Sequence, residues 1–326
     1  MPQFDLSVPE LEAYEPPVEE PADFDEFWAA TLAESRALGA APTVERVDAG
    51  LTVVSVDDVT FPGFAGDPVR AWLTRPADAP DPLPAVVEFV GYGGGRGLPQ
   101  ERLAWAAAGY AHLLVDTRGQ GSGWGSGGDT PDPHGSGPAS PGFVTRGIDD
   151  PADHYYRRVF TDGVRAVDAV RGIDGVDPDR VSVAGISQGG GIALAVAGLA
   201  DGLRAALVDV PFLCAFRRAV TITGADPYGE ITRYLSVHRG AEERVFRTLS
   251  YLDGANHAAR ATAPAVFSVA LMDEICPPST VYSAFHRYGG AGTVVKDIDV
   301  HPFNGHEGGQ AFRFARHVAW LAEHAA

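Results

Sequence analysis

Ser187 stands in Gly185-Ile186-Ser187-Gln188-Gly189, a G-x-S-x-G pattern with a short apolar run before it (181–184) and a small-residue, helix-like run after it (188–199). A strand that turns sharply into a helix holds such a hydroxyl at the helix N-terminus, where partial positive charge favours a developing anion. Gly185 and Gly189 suit that turn, since a Cβ at either would meet the adjoining strand or helix. In a chain with 39 glycines the bare motif can be an ordinary tight turn, so the flanking strand and helix carry the inference. A serine hydroxyl attacks only when a base takes its proton and an acid orients the base. The acid is expected after a later strand and the histidine last in the chain. Asp273 directly follows the apolar run 265–271, in a turn enforced by Pro277 and Pro278. Glu274 competes, but its side chain should point elsewhere. Of ten histidines, only His301 and His306 fall in the loop expected between the last strand and the last helix. His306, in NGHEGG just ahead of that helix, is preferred over His301, which precedes Pro302. The other eight read as solvated surface or satisfied core histidines, and none has metal-ligand spacing such as H-E-x-x-H.

Attack by Ser187 on a carbonyl would place negative charge on its oxygen, which needs two backbone N–H donors. Gln188, next after the serine, offers one. The loop Gly91-Tyr92-Gly93-Gly94-Gly95 offers the other through Tyr92. That loop fails as a phosphate cradle: Arg96 stands where G-x-G-x-x-G needs its last glycine, and no P-loop lysine exists.

The elements that must position these groups follow from periodicity. Alternating segments at 52–61 and 69–74 resemble antiparallel strands. From residue 84 short apolar runs (85–90, 111–115, 181–184, 205–210, 265–271) alternate with helical patterns (100–107, 151–172, 188–199, 278–288). This predicts an α/β fold, a mostly parallel sheet covered on both faces with an antiparallel N-terminal edge, and one domain over 1–326. Residues 1–22, with several prolines, read as an irregular arm without regular helix. Asp23 should cap a helix whose stripe is Phe24, Phe27, Trp28, Leu32 and Leu38, completing an arm-and-helix unit over 1–40. The final helix, 308–324, should bury Phe312, Phe314, Val318, Trp320 and Leu321. Residues 117–147 form a long Gly- and Pro-rich loop, and 211–260 a helical insertion, either a lid or an assembly surface.

Composition narrows the partners. The net charge of −18 repels phosphate backbones and anionic membranes, so nucleic acid and membrane are not expected. No apolar run approaches the ~20 residues of a membrane helix, and the acidic, Pro-rich start is unlike a signal peptide. A cytoplasmic protein is expected. Two cysteines, Cys214 and Cys276, write no disulfide framework and read as free and silent.

Three motifs resemble the acetyl xylan esterase and cephalosporin C deacetylase group of α/β-hydrolases (carbohydrate esterase family 7). Arg118-Gly119-Gln120 looks like its RGQ, Gly185–Gly189 like its GxSQG, and His306-Glu307 like its HE. HYYRRVFTDGVRAVD, RTLSYLDGANHA and ICPPSTVY match as well, so the resemblance spans the chain. It implies an α/β-hydrolase fold, Ser187, Asp273 and His306 as nucleophile, acid and base, and the Tyr92 and Gln188 amides as oxyanion hole. Arg118, Gly119 and Gln120 would be a structural motif ordering the long loop. It also implies an intracellular homo-oligomer, often a hexamer, acting on a small acetylated substrate without metal or organic cofactor. Val90 departs from the histidine often found before the GY turn, and Ala184 precedes GISQGG where the family elbow often reads GGSQGG; neither touches the triad. A non-catalytic hydrolase-fold binding protein and an esterase of other acyl specificity are the alternatives.

Overall fold

Each apolar run read as a strand forms one in the computed structural model, which describes residues 2–15, 17–79, 82–135 and 137–324. The strands are β1 (Thr43–Val47), β2 (Val54–Pro62), β3 (Pro68–Pro76), β4 (Leu83–Phe89), β5 (Ala111–Val115), β6 (Val176–Ile186), β7 (Ala206–Asp209), β8 (Ala265–Ala270) and β9 (Lys296–His301). Among the described residues they make one sheet in the order β1-β2-β3-β5-β4-β6-β7-β8-β9. β1, β2 and β3 pair antiparallel, as do β3 and β5, while every pair from β5 to β9 is parallel. β1 and β9 carried no apolar run because they are the two edges. β1 (TVERV) is almost wholly exposed and β9 (KDIDVH) charged, as edges that must not recruit further strands tend to be. His301 is therefore the last residue of β9 and not a loop residue.

The helices are α1 (Val8–Glu12), α2 (Phe24–Ala37), α3 (Ala104–Ala107), α4 (Tyr155–Arg171), α5 (Gln188–Leu199), α6 (Phe216–Ile222), α7 (Gly229–Val237), α8 (Glu242–Ser250), α9 (Gly254–Ala258), α10 (Pro278–Arg287) and α11 (Ala311–His324). Successive residues of a strand serve opposite faces. Val181 and Val183 of β6 join the larger core with α2, α4, α5 and α9, whereas Ala184 joins Trp105 of α3 and Trp320 and Leu321 of α11 on the other side. The described part of 117–147 contains neither helix nor strand, and 211–260 holds α6 to α9 between β7 and β8.

Four local expectations fail for identifiable reasons. The arm contains α1, because Pro9 sits in the first turn, where it gives up no intrahelical hydrogen bond; Met1 and Pro16 of the arm lie outside the described residues. Asp23 precedes α2 without capping it, its carboxylate instead accepting the Tyr251 hydroxyl at 2.5 Å. Leu38 lies beyond the end of α2 and is exposed. Phe312 is 85% exposed; α11 buries Arg313 and His317 with Trp320 and Leu321, a polar choice that apolar counting cannot find.

Two histidines are fully buried against this core. His154 caps α4, its Nδ1 accepting Tyr156 N–H while Nε2–H donates to the Val144 carbonyl, which requires a neutral ring. His257 packs edge-on against Phe24, Trp28 and Phe160. Desolvation pushes both down to about 3. An unfolded histidine binds its proton near 6.5, so between that value and 3 the unfolded chain holds more protons and acid destabilises the fold. Buried Glu230 and Asp253 are shifted the opposite way by desolvation, to about 7 and 6, and oppose the effect. The difference between variants therefore isolates it. Relative to wild type, His257→Met should be favoured at pH 5 over pH 7 by about 2 kcal/mol, measured by urea unfolding. A gap that does not move with pH would contradict the buried neutral ring.

Candidate active site

Ser187 is the residue between β6 and α5, in a left-handed conformation (φ 58°, ψ −121°) that side chains rarely adopt. The turn is possible because both flanking positions lack a Cβ. One at Gly185 would lie 2.1 Å from Gly189 backbone, and one at Gly189 would lie 2.1 Å from the Phe89 carbonyl. The turn is anchored by Ser187 N–H on the Asp209 carbonyl (2.9 Å) and by Phe212 N–H on the Ser187 carbonyl (2.9 Å). Ser187 as a whole residue is 7% exposed.

Asp273 follows β8 in a turn closed by its own N–H on the Ala270 carbonyl. Its carboxylate is fully buried, and Oδ1 accepts Ile275 and Cys276 N–H at 2.9 and 3.0 Å. Oδ2 is left for His306 Nδ1, at 2.9 Å. On the other side of the ring, Nε2 lies 2.9 Å from Ser187 Oγ. The three groups thus form one chain, with the histidine partly exposed at its centre. Glu274 takes no part; its carbonyl accepts the Thr223 hydroxyl from the insertion. The β9–α11 loop that carries His306 is tied down by Glu307, which accepts from Asn304 Nδ2 and Gly305 N–H, and by Arg313, buried against Asp209 at 2.7 Å.

The loop after β4 is gripped from several directions. Gln188 and Gln120 pair their side-chain amides (2.9 and 3.2 Å). Gln188 also reaches the Val90 carbonyl and accepts the Tyr156 hydroxyl, while Gln120 accepts Gly93 N–H at 2.6 Å. Trp124 Nε1 donates to the Tyr92 carbonyl at 2.7 Å. Arg118, buried, donates to Asp162 with Nε and Nη2 (2.5 and 2.7 Å) and to Asp67 with Nη1 (3.0 Å). Gly119 turns between them at φ 67°, its N–H on the Thr130 carbonyl, so the segment is stitched to its own loop.

Sequence reasoning missed three groups. Cys276 is not remote from the chemistry: its thiol lies within 4.8 Å of the Asp273 carboxylate and the His306 ring, and its N–H holds Asp273. Burial pushes that thiol well above its ordinary value, so it is a neutral neighbour. Among the described residues, Asp273, Cys276 and His306 are the grouping whose ligand atoms lie close enough, within 4.8 Å, to hold a metal, but the aspartate and histidine already face each other. Trp124 and Glu230 touch Tyr92 from the loop and the insertion; the first lies in a segment without regular period and the second on a short helix, and in neither does spacing announce a partner in another segment. No helix among the described residues is long and apolar enough to cross a membrane.

This arrangement can deliver a serine alkoxide to a carbonyl carbon. Comparison with known proteins agrees in kind. The acetyl xylan esterase (AXE1) family model matches residues 1–324. An acetyl xylan esterase structure from Paenibacillus sp. R4 is 38% identical with a TM-score of 0.91, covering 98% of this chain and 100% of that one. Acetyl xylan esterase 1 from Thermoanaerobacterium sp. JW/SL YS485 is 32% identical with a TM-score of 0.88, over 96% and 98%. The acetyl esterase Axe7A of Xylanibacter ruminicola is 30% identical over 165 residues, which is 51% of this chain and only 36% of that protein's length. The fold is the α/β-hydrolase fold.

Proposed function

This chain belongs to the acetyl xylan esterase family and is a carboxylic ester hydrolase, and from that premise we propose that it removes acetyl groups from small esters through a Ser187–His306–Asp273 triad. The observation that carries the proposal is His306, hydrogen-bonded at 2.9 Å to both the nucleophile and the acid. His306 Nε2 takes the Ser187 proton as Oγ attacks the acetyl carbonyl, and Asp273 steadies the resulting imidazolium. The Tyr92 and Gln188 amides receive the oxyanion. Collapse expels the alcohol, protonated by His306, and leaves an acetyl-serine that water hydrolyses by the same steps. Acetylated xylo-oligosaccharides and cephalosporin C are the substrate types that fit.

Acyl selectivity tests this reading. Rates on acetyl, propionyl and butyryl esters of one alcohol, with acetylated xylose and cephalosporin C beside them, should fall as the acyl chain lengthens. Each methylene that does not fit is worth roughly 10-fold or more in kcat/KM. A preference for butyryl would remove the deacetylase while leaving the esterase.

A further inference from the structure

Glu230 sits in the first turn of α7, within the insertion, and is only 2% exposed. Its Oε1 accepts the Tyr92 hydroxyl and its Oε2 accepts Val144 N–H at 2.9 Å. The Tyr92 hydroxyl in turn accepts Phe143 N–H at 2.7 Å. The Tyr92 ring packs edge-on between Phe143 and Phe212. One carboxylate thus joins three separate pieces of chain: the loop after β4, the long loop and the insertion. The peptide side of Tyr92 is already held, through Trp124 on its carbonyl and Gln120 on the following N–H. What remains to be fixed is rotation of the residue about its own Cα, and the side chain is the handle for it.

We propose that Glu230 is a positioning residue for the esterase reaction: by anchoring the Tyr92 side chain it aims the Tyr92 amide at the oxyanion that forms over Ser187. The inference rests on the reading of that amide as an oxyanion donor. The hydrogen bonds of the Glu230 carboxylate go to Tyr92 and Val144, so it acts through Tyr92. The donor set explains why a carboxylate stands there. Val144 N–H can only donate, and the Tyr92 hydroxyl accepts Phe143 N–H while giving its own proton to Oε1, so both Oε atoms accept. Burial lifts Glu230 to about 7 against the lowering pull of Tyr92 and Val144, with Asp226 adding to the rise and Arg233 opposing it. Tyr156 of α4, hydrogen-bonded to Gln188, is the further titratable group coupled to Glu230.

The test is steady-state hydrolysis of an acetyl ester by wild type, Glu230→Gln, Tyr92→Phe and the double variant. Glutamine keeps the shape but turns an NH2 toward one of two donors. Both single variants should lose roughly 10- to 100-fold in kcat with KM within about 3-fold, since a misaimed oxyanion donor weakens the transition state alone. The double variant should be no worse than the poorer single, because both changes cut one anchor. Singles within about 2-fold of wild-type kcat, or losses that multiply in the double, overturn the proposal. Tyr92→Phe removes only a hydroxyl, so it keeps the test readable if Glu230→Gln folds poorly. Ser187→Ala separates the two levels. An inactive Ser187→Ala beside fully active Glu230 and Tyr92 variants leaves the triad standing and removes this inference, whereas an active Ser187→Ala removes both.

Discussion

Ser187→Ala is expected to abolish acetate release, with a loss on the order of a million-fold in kcat, because in the proposed triad the nucleophile and its base work as one unit. Asp273→Asn should be nearly as damaging, and the hydrogen bonds around it say how. Oδ1 accepts two backbone N–H groups, from Ile275 and Cys276, so an asparagine must turn its carbonyl oxygen to that side. Its NH2 then faces His306 Nδ1, where the carboxylate had accepted. Nδ1 is forced to be the acceptor and the ring proton moves to Nε2, aimed at Ser187 Oγ, which can no longer give up its own. A loss of roughly 10⁴-fold follows from the wrong tautomer, without loss of fold. Acetate release by the two variants, with unfolding midpoints measured alongside, checks both. A Ser187→Ala protein that still turns over, or an Asp273→Asn protein within about 10-fold of wild type, contradicts the triad.

How much of this was legible in the sequence depends on what kind of force fixes each piece. Buried strands announce themselves because both faces must be apolar, and so β4 to β8 were readable. β1 and β9 were not, because an edge strand is selected for charge. Ser187, Asp273 and His306 were readable from chain order and flanking turns, and the fold brings them within hydrogen-bond reach. The supporting groups were not. Glu230 and Trp124 meet Tyr92 only because the helical insertion and the long loop both fold onto the segment after β4, and Cys276 comes beside His306 only because its turn also holds Asp273. Such pairings lie up to 138 residues apart and leave no local period. The same holds for Phe312 and Arg313: an amphipathic count chooses the phenylalanine, whereas Asp209 at the end of β7 and Asp299 within β9 choose the arginine.

Arg118→Met should destabilise the protein by roughly 3–5 kcal/mol, the cost of leaving buried carboxylates without their cation. Three acids surround the guanidinium, and they are not left equally poor. Asp132 keeps Arg158 at 2.8 and 2.9 Å, and Asp67 keeps His134. Asp162, nearly fully buried, keeps only the Phe64 N–H. Burial already pushes the Asp162 carboxyl up with the arginine in place, so without it the acid must take a proton in order to stay folded. The sign of the pH effect follows. In the variant the folded pKa lies further above the unfolded one, so the variant binds a proton on folding and gains as pH falls. The deficit measured by urea unfolding should therefore be larger at pH 7.5 than at pH 5.5. Adding Asp162→Asn should recover part of it at pH 7.5 by removing the uncompensated charge. A deficit below about 1 kcal/mol, or one that asparagine deepens, would mean the network is not held by charge. Activity should fall with stability, since the residue after next, Gln120, is the one that holds Gly93 and pairs with Gln188. Loosening the loop at Arg118 therefore reaches the Gly91–Gly95 loop without touching Ser187, His306 or Asp273, and a variant that regains stability through Asp162→Asn should regain turnover less completely.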